Sequence, residues 1–494
     1  MRNLVSLTVA LLLTGCAVGP DYQGPESAQW QPQQWQLNGS QSDLTATTVQ
    51  QQWWRQFNDP QLDQLVDKAL QQNLTVLASQ QRVKLAQSYR EAVSATNLPQ
   101  IGLGVGYTAG MLSEQGPIGG PLRGNNDFGI PLASRHYDAT YMGGSVGWEP
   151  DLFGKTSRLV EATSARAEQV EILADGTRLM VVSAVVNNYL SLRSVQQQQQ
   201  ILQAQLADLD ALSTRIDALR QSGLASGIET AQIAAQRASV VAMQPQLDTV
   251  VDVHSRRLAI LLGQAPSSLI EPLSEAKPMP FIDGAIPIGL PSELLTRRPD
   301  IRFAERQMKV ANAELGVAIA RKYPSFYMTG SPGVAASSFG DLFAGGSGLW
   351  SFGVGMNWSL FDGGMREALE AVAESQVDIA AMDYQRTLLT AFGEVETLLH
   401  AYGNSQLRLD AAEQSRAQVE NAVARTETLV NSGLVSRIEL LTARSALHQA
   451  DANVTQARGS HSQLVVSLYK ALGGSWIDSE AQRQADELAQ TPSQ

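Results

Sequence analysis

Histidine, cysteine and paired carboxylates are the side chains that most often do chemistry, and this chain scatters them. Its five histidines are His136, His254, His400, His448 and His461, and no two share ligand spacing on one helix face. A single cysteine, Cys16, permits neither an intrachain disulfide nor a thiolate metal cluster. No motif sets a nucleophile beside a base, or two carboxylates in a loop-rich pocket. Catalysis, a metal and a cofactor are therefore not expected. A net charge of −12 over 494 residues, with no basic stretch, leaves no surface for nucleic acid.

The chemistry that the sequence does offer is attachment of lipid. The opening MRNLVSLTVALLLTGC has a cationic start at Arg2, an apolar run from Leu4 to Leu13, and small residues before the cysteine. It reads as a secretory signal over 1–15, too short to stay as a transmembrane helix. Leu13-Thr14-Gly15-Cys16 resembles a bacterial lipobox, which implies acylation at Cys16 and cleavage before it. Ala17 is not the aspartate of the usual inner-membrane retention signal, so the outer membrane of a Gram-negative cell is expected. No run of 18 apolar residues follows Cys16.

The elements that must position everything else are duplicated. SGLASGIE at 222–229 returns as SGLVSRIE at 432–439, an offset of 210. The same offset carries Trp148 onto Trp358, Gly154 onto Gly364 and Gly263 onto Gly473. Upstream, NLPQIGLGVGY (97–107) pairs with KYPSFYMTGSP (322–332) at an offset of 225. The difference of 15 falls in 111–138, rich in Gly, Pro and Asn, which reads as a longer loop in the first copy. Each copy runs helix, strand, loop, strand, very long helix, tip, helix. The expected divisions are an N-terminal segment 16–59, a first repeat 60–263, a proline-rich linker 264–287, a second repeat 288–473 and a tail 474–494.

No proline interrupts Lys155 to Gln221 or Met365 to Ser432, so each predicted helix spans about 100 Å. Leu202, Leu206, Leu209, Leu212, Ile216 and Leu219 recur every three or four residues, close to a heptad seam. Shorter returning helices complete antiparallel hairpins over 155–262 and 365–472. Gly223 and Gly433 suit the left-handed position that ends a helix, with Ser226 and Ser436 as N-caps of the next. Pro245 is predicted to kink the first returning helix. The run Gln196 to Gln200 reads as a solvated surface, and Asp151 and Asp362 as caps near Gly154 and Gly364.

Four segments alternate with period two, at about 99–110, 139–150, 323–335 and 348–360. In WSFGVGMNWSL, Trp350, Phe352, Val354, Met356 and Trp358 alternate with small or polar residues. Lipid on one face and water on the other gives this pattern. The two tryptophans are about 26 Å apart along an extended strand, near the height of a membrane barrel's apolar band once tilted. Trp148 takes the equivalent girdle position in the first copy. Four strands cannot close a barrel, and an open edge in lipid costs several kcal/mol per unpaired backbone group. The barrel must be shared between subunits, and a homotrimer with 12 strands is the simplest closed solution.

The stretches GCAVGPDYQGP (15–25), WWRQFNDPQLDQLVDKALQQN (53–73), ELLTRRPDIRFAERQ (293–307), YPSF (323–326), WSLFDGG (358–364) and SGLVSRIELLTARSAL (432–447) resemble the outer membrane factors. These are the TolC/OprM/NodT-type outer-membrane efflux lipoproteins, and the likeness covers nearly the whole chain. It implies a mainly α fold with a membrane β part: a trimer with a 12-stranded barrel continued by a periplasmic helical barrel. It also implies an equatorial belt built from 30–60, 264–290 and 474–494. The implied function is the passive outer-membrane channel of a tripartite multidrug efflux system. An inner-membrane RND, MFS or ABC transporter would deliver substrate through a periplasmic adaptor (membrane fusion protein). The tips Gly223, Leu224, Ser226, Gly433, Leu434 and Ser436 are then adaptor contacts. Glu229, Arg437 and Glu439 are candidates for the periplasmic gate, although the family's further acid is replaced by Gln232 and Thr442. The alternative in the same fold is the exit duct of a type I protein-secretion system.

Overall fold

The computed structural model describes residues 17–25, 32, 34–35, 44–45, 52–113, 136–282 and 286–474. Cys16, the signal region and the tail from 475 lie outside them, as does most of the long first-copy loop. In chain order the elements are β1 (Leu44–Thr45), α1 (Pro60–Gln72), α2 (Leu74–Ser94), β2 (Gln100–Met111), β3 (His136–Trp148), α3 (Lys155–Gln221) and α4 (Gly227–Leu261). There follow β4 (Ile286–Pro287), α5 (Pro299–Ala320), β5 (Ser325–Ala336), β6 (Gly348–Asn357), α6 (Met365–Asn431) and α7 (Arg437–Ala471). The first copy is α2-β2-β3-α3-α4 and the second is α5-β5-β6-α6-α7. Helices α3 and α6 each have 67 residues, and α4 and α7 each have 35, all at the offset of 210. The strands depart from the sequence reading at their ends. β3 runs from His136 to Trp148 and β6 stops at Asn357; in each copy left-handed glycines, Gly154 in the first and Gly363 and Gly364 in the second, then turn the chain into the long helix. Among the described residues no helix is long and apolar enough to cross a membrane.

Contacts divide the chain into two compact units. The first holds Met1–Gly24, Leu85–Glu168 and Arg306–Ala381. Its centre is an antiparallel sheet in the order β2-β3-β5-β6, so β3 and β5 join the two copies. Beside the sheet, the Asp151 carboxylate accepts the Thr156 and Ser157 N–H groups at 3.0 and 2.7 Å and caps α3. Asp362 accepts from Gly364 N–H at 3.1 Å. The segment after Cys16 is pinned here. Val18 N–H donates to the Phe153 carbonyl at 3.2 Å. The buried Arg158 donates to the carbonyls of Val18 and Gly19, and to Asp21 at 2.8 Å. Gly19 (φ +94°) rests on Gly316, where a Cβ would come within 2.8 Å of Gly316 Cα. Helix α5 lies along α3 through Lys309 to Glu168 at 3.3 Å, Arg306 to Glu168, and Arg166 to Glu314.

The second unit holds Pro25–Lys84, Gln169–Glu305 and Met382–Gln494. The aromatic stretch from Trp53 to Phe57 is its keystone. Trp53 and Trp54 are buried, and Trp53 stacks on Tyr469 at 5.0 Å between ring centres. Asp59 caps α1 and accepts the Tyr189 hydroxyl at 2.6 Å. Burial, then this carboxylate, push the Tyr189 hydroxyl well above its usual range. Arg193 is fully buried and donates to Gln196, to Gln61 and to the Glu275 carbonyl. Gln196 is thus no solvated residue: it is buried and donates in turn to the Leu273 carbonyl at 2.6 Å. Pro245, predicted to kink this helix, lies inside α4, which continues through it. The carbonyl that loses its partner belongs to the exposed Val241, where water can replace the bond.

One clamp is built twice. Asn73 Nδ2 donates to the Leu261 carbonyl at 2.7 Å, and Arg298 Nη1 donates to the Ala471 carbonyl at 2.7 Å. Asn73 and Arg298 are 225 apart, and Leu261 and Ala471 are 210 apart. Each side chain ties the start of one leading helix to the end of its own returning helix. Of the expected belt, β1 pairs in parallel with β4, and the Trp35 indole donates to the Gly289 carbonyl at 3.0 Å.

Candidate functional site

The sheet is sorted by face across all four strands. In register, Leu103, Val105 and Tyr107 of β2 sit beside Gly144, Met142 and Thr140 of β3. Trp148 and Met142 sit beside Met328 and Val334 of β5, and Met328 sits beside Val354 of β6. The apolar face is therefore continuous, and its outermost strands carry the most exposed side chains: Ile101, Leu103, Val105 and Tyr107 at one edge, Trp350, Phe352, Val354 and Met356 at the other. The opposite face is largely glycine, including Gly102, Gly104, Gly106, Gly353 and Gly355. Tyr141 lies over Gly106, Tyr137 over Gly110 and Tyr327 over Gly355, each ring filling the space that a Cβ would take.

Two tryptophans at one end of the sheet make the same bond. The Trp148 indole N–H donates to the Asn97 carbonyl at 2.9 Å, and the Trp358 indole N–H donates to the Lys322 carbonyl at 3.1 Å. Donors are 210 apart and acceptors 225 apart, as the duplication requires. Trp350, at the start of β6, is 80 % exposed. An amphipathic ring with its N–H satisfied and its body outward suits a membrane interface.

At each hairpin tip the helix ends in the same pair of bonds. Gly223 N–H donates to the Arg220 carbonyl and Leu224 N–H to the Leu219 carbonyl, at 3.0 and 2.8 Å. Gly433 and Leu434 repeat this on Val430 and Leu429, both at 3.0 Å. The glycines sit at φ +73° and +71°, where a side chain would be strained. Leu224 and Leu434 are exposed at both tips. Ser226 and Ser436 cap the returning helices. Glu229 closes a capping box, its carboxylate accepting Ser226 N–H at 3.0 Å. Glu439 N–H donates to Ser436 Oγ at 3.3 Å.

Charged residues near the tips converge around Asp208 on α3. It accepts from Arg444 at 3.0 Å and lies 2.9 Å from His448 Nε2, both on α7. Arg444 also reaches Glu427 on α6 at 3.2 Å. Arg437 lines the same groove with Asp208, Glu427 and Arg444. Ion pairs join the arms of both hairpins, Arg237 to Asp210 in the first, and a leucine seam runs beside it there. Leu202, Leu206, Leu209, Val240 and Leu247 zip α3 to α4. Arg416 to Asp451 at 2.6 Å and Arg458 to Glu413 hold α6 to α7. The sequence reading named Arg437, Glu229 and Glu439 and did not name Asp208, Arg444 or His448; of the three it named, Arg437 lines this groove. A 236-residue separation on different helices carries no local signal. Cys16 lies outside the described residues.

A sheet with one continuous apolar face, joined in one chain to paired helical hairpins of this length, defines the class of outer-membrane channel subunits. The chain belongs to the outer membrane efflux protein family, whose model matches residues 65–264 and 290–474. It is 31 % identical to the toluene efflux pump outer membrane protein TtgC of Pseudomonas putida, over 99 % of both chains. It is 27 % identical to the cation efflux system protein CusC of Escherichia coli, covering 96 % of this chain and 99 % of that one. Among solved structures it superposes on the outer-membrane channel OprN with a TM-score of 0.80 and 27 % identity, over 93 % of this chain and 99 % of OprN. The Campylobacter jejuni CmeC outer membrane channel shares the fold, with a TM-score of 0.83 at 23 % identity, over 96 % of this chain and 98 % of that one.

Proposed function

We propose that this protein is the outer-membrane exit duct of a tripartite multidrug efflux system. Three copies close a 12-stranded barrel, and their paired hairpins continue it into the periplasm. The duct is passive. An inner-membrane transporter of the RND, MFS or ABC type delivers substrate through a periplasmic adaptor, which meets Gly223, Leu224, Ser226, Gly433, Leu434 and Ser436. Acyl chains on Cys16 add an anchor worth about 0.8 kcal/mol per buried methylene. Segments 30–60, 264–290 and 474–494 would supply the belt around the helices.

The observation that carries this reading is the sheet. Four strands present one unbroken apolar face and leave both edges open, which lipid does not tolerate in a single chain. The gate candidates Glu229, Arg437 and Glu439 lie in the first turns of the returning helices. The Asp208 cluster beside them ties α7 to α3 and adds a lock to the closed state. Relatives are named for toluene in one case and cations in another, so the family leaves the cargo open.

The test is accumulation of a fluorescent cationic dye in energised cells lacking the gene, with and without a plasmid copy. The copy is expected to lower accumulation, with the protein in the outer-membrane fraction. Unchanged accumulation, with the protein present there as an oligomer, sinks the efflux reading and leaves the type I secretion duct.

A further inference from the structure

The turns that lead from the sheet into its helices enclose a cavity of about 320 Å³ in the first compact unit. Its walls come from the β3–α3 turn, the end of α5 and the start of α6. That volume is near the lower end of what small-molecule sites enclose, room for a small aromatic ring system and a polar group. One wall is aromatic: Phe153 and Tyr323 stack at 4.8 Å between ring centres. Met365 and Leu369 add apolar surface across from the turn. The hairpin tips and the Asp208 cluster belong to the other unit, so none of their residues is engaged here.

The charges around this cavity are not balanced. Glu149 pairs with Lys155 at 2.5 Å, and Asp151 is taken up by the N–H groups of Thr156 and Ser157. Arg366 is held by Asp362 at 3.4 Å and donates to the Ser359 carbonyl at 3.1 Å. Both carboxylates that line the cavity are therefore engaged, and so are two of its three cations. The third, Arg321, is exposed and forms no ion pair among the described residues. A guanidinium offers a planar fork that fits a carboxylate, and a charge-assisted bond of this kind is stronger than a neutral one. An organic cation would find no free carboxylate here. We infer that the cavity binds an amphipathic aromatic carboxylate, with Arg321 on the carboxylate and the Phe153–Tyr323 pair against the ring system.

Two observations put the cavity on the glycine side of the sheet, away from the apolar face. The first is strand parity. Side chains alternate with period two, so Asn357 continues the face of Gly355, Ser325 that of Tyr327, and Glu149 that of Gly147. All three line the cavity. The second is the course of the segment after Cys16. It lies on one stripe of α5, where Asn312 donates to the Pro20 carbonyl at 2.9 Å and Gly316 meets Gly19. At about 100° per residue, Ala318 and Arg321 lie roughly 140–160° around α5 from that stripe. The segment that leads to the lipid anchor and the cavity thus take opposite sides of the helix. On the duct reading the glycine face lines the lumen, which sets the site on the substrate path where the barrel meets the helices. That placement rests on the duct reading; the binding itself does not.

The test is photolabelling of the full-length protein in outer-membrane fragments with para-benzoylbenzoate, an aromatic carboxylate whose ketone captures neighbouring C–H bonds on irradiation. Labelled peptides are mapped by mass spectrometry. Label is expected within 149–155, 318–325 or 365–369, and excess naphthoate is expected to compete it away. Arg321→Gln is expected to lower this label about five- to tenfold, the loss of one charge-assisted bond, and Arg321→Lys to restore part of it. Leu369→Trp, which fills the cavity without touching a charge, should lower it as well. The neutral para-benzoylbenzamide is expected to label lipid-facing strands and to spare the cavity. Label confined to other segments, cavity label unchanged by Arg321→Gln, or equal cavity label from the amide overturns the site. A cavity that labels as expected in a protein without effect on dye accumulation sinks the duct reading and the lumenal placement, while the site stands. A protein that lowers dye accumulation but takes no label in the cavity overturns the site and leaves the duct.

Discussion

Asn73 and Arg298 have no chemical likeness, yet each grips the last carbonyl of a returning helix. The task needs only a long donor, and the two copies have met it with different residues. Their costs of removal differ accordingly. Asn73 also caps α2 through Thr75 and Val76 N–H groups, so Asn73→Ala should cost about 1–2 kcal/mol. The Arg298 side chain is nearly buried and also pairs with Asp300 and Glu394 at 2.8 and 2.7 Å. Arg298→Ala leaves a carbonyl and two carboxylates without their cation, so a larger loss of about 2–4 kcal/mol is expected. Thermal unfolding midpoints of the detergent-solubilised protein, measured side by side, should fall in that order. At this scale the sequence was legible where backbone geometry demands a residue type. Gly223, Gly433, Ser226 and Ser436 were read from local spacing alone and occupy the turn and cap positions. The clamps were not legible, because any donor of the right length serves. Gln196 was misread because a run of five glutamines looks uniform, whereas its burial depends on the residues that α3 meets.

Helix hairpins of equal length need not be equally firm. Leu206 in the seam of the first corresponds, 210 residues on, to Arg416 in the second. Apolar burial is not screened by salt, whereas exposed ion pairs are worth about 0–1 kcal/mol each and are screened. On the proposed duct reading, the second hairpin, with more of its seam in ion pairs, is the one expected to move, and the Asp208 contacts to Arg444 and His448 would hold it to α3. Asp208→Asn loses the acceptor charge for both Arg444 and His448 at once. Single-channel conductance in planar bilayers should rise at least severalfold for this variant, with a smaller gain for wild type as salt is raised. Wild-type conductance in Asp208→Asn would remove the cluster from the gate. The lengths, order and tips of these helices were readable from heptad spacing and the absence of proline. Which helix faces which was not, since a single sequence fixes a helix's apolar stripe but not its neighbour's azimuth.

Stability of the whole molecule should depend on pH through a half-buried histidine. His254 on α4 lies 3.0 Å from the Asn188 side-chain oxygen, and burial, aided by Arg257, holds its pKa below the ordinary value. The fold thus favours neutral imidazole, and the unfolded chain takes up a proton that the fold refuses. This contribution is present above about pH 6.5 and is lost as pH falls toward the folded pKa, at up to about 1.4 kcal/mol per pH unit. Unfolding midpoints at pH 7.5 and 5.5 should differ less in His254→Gln than in the parent; an equal difference would assign the acid sensitivity elsewhere. The architecture was legible at this scale because lipid and water write opposite residues into alternating positions, and duplication prints the message twice. The copies differ by 15 residues, and that difference lies between the first two strands. From Lys155 to Leu261 and from Met365 to Ala471, not one residue has been gained or lost in either relative to the other. Side chains there have drifted freely, down to a leucine against an arginine in the seam. Reach, then, is what both arms hold in common: they are two rulers cut to one length, and shortening either by a heptad would set the two tips a step of about 10 Å apart before any partner proposed to meet both.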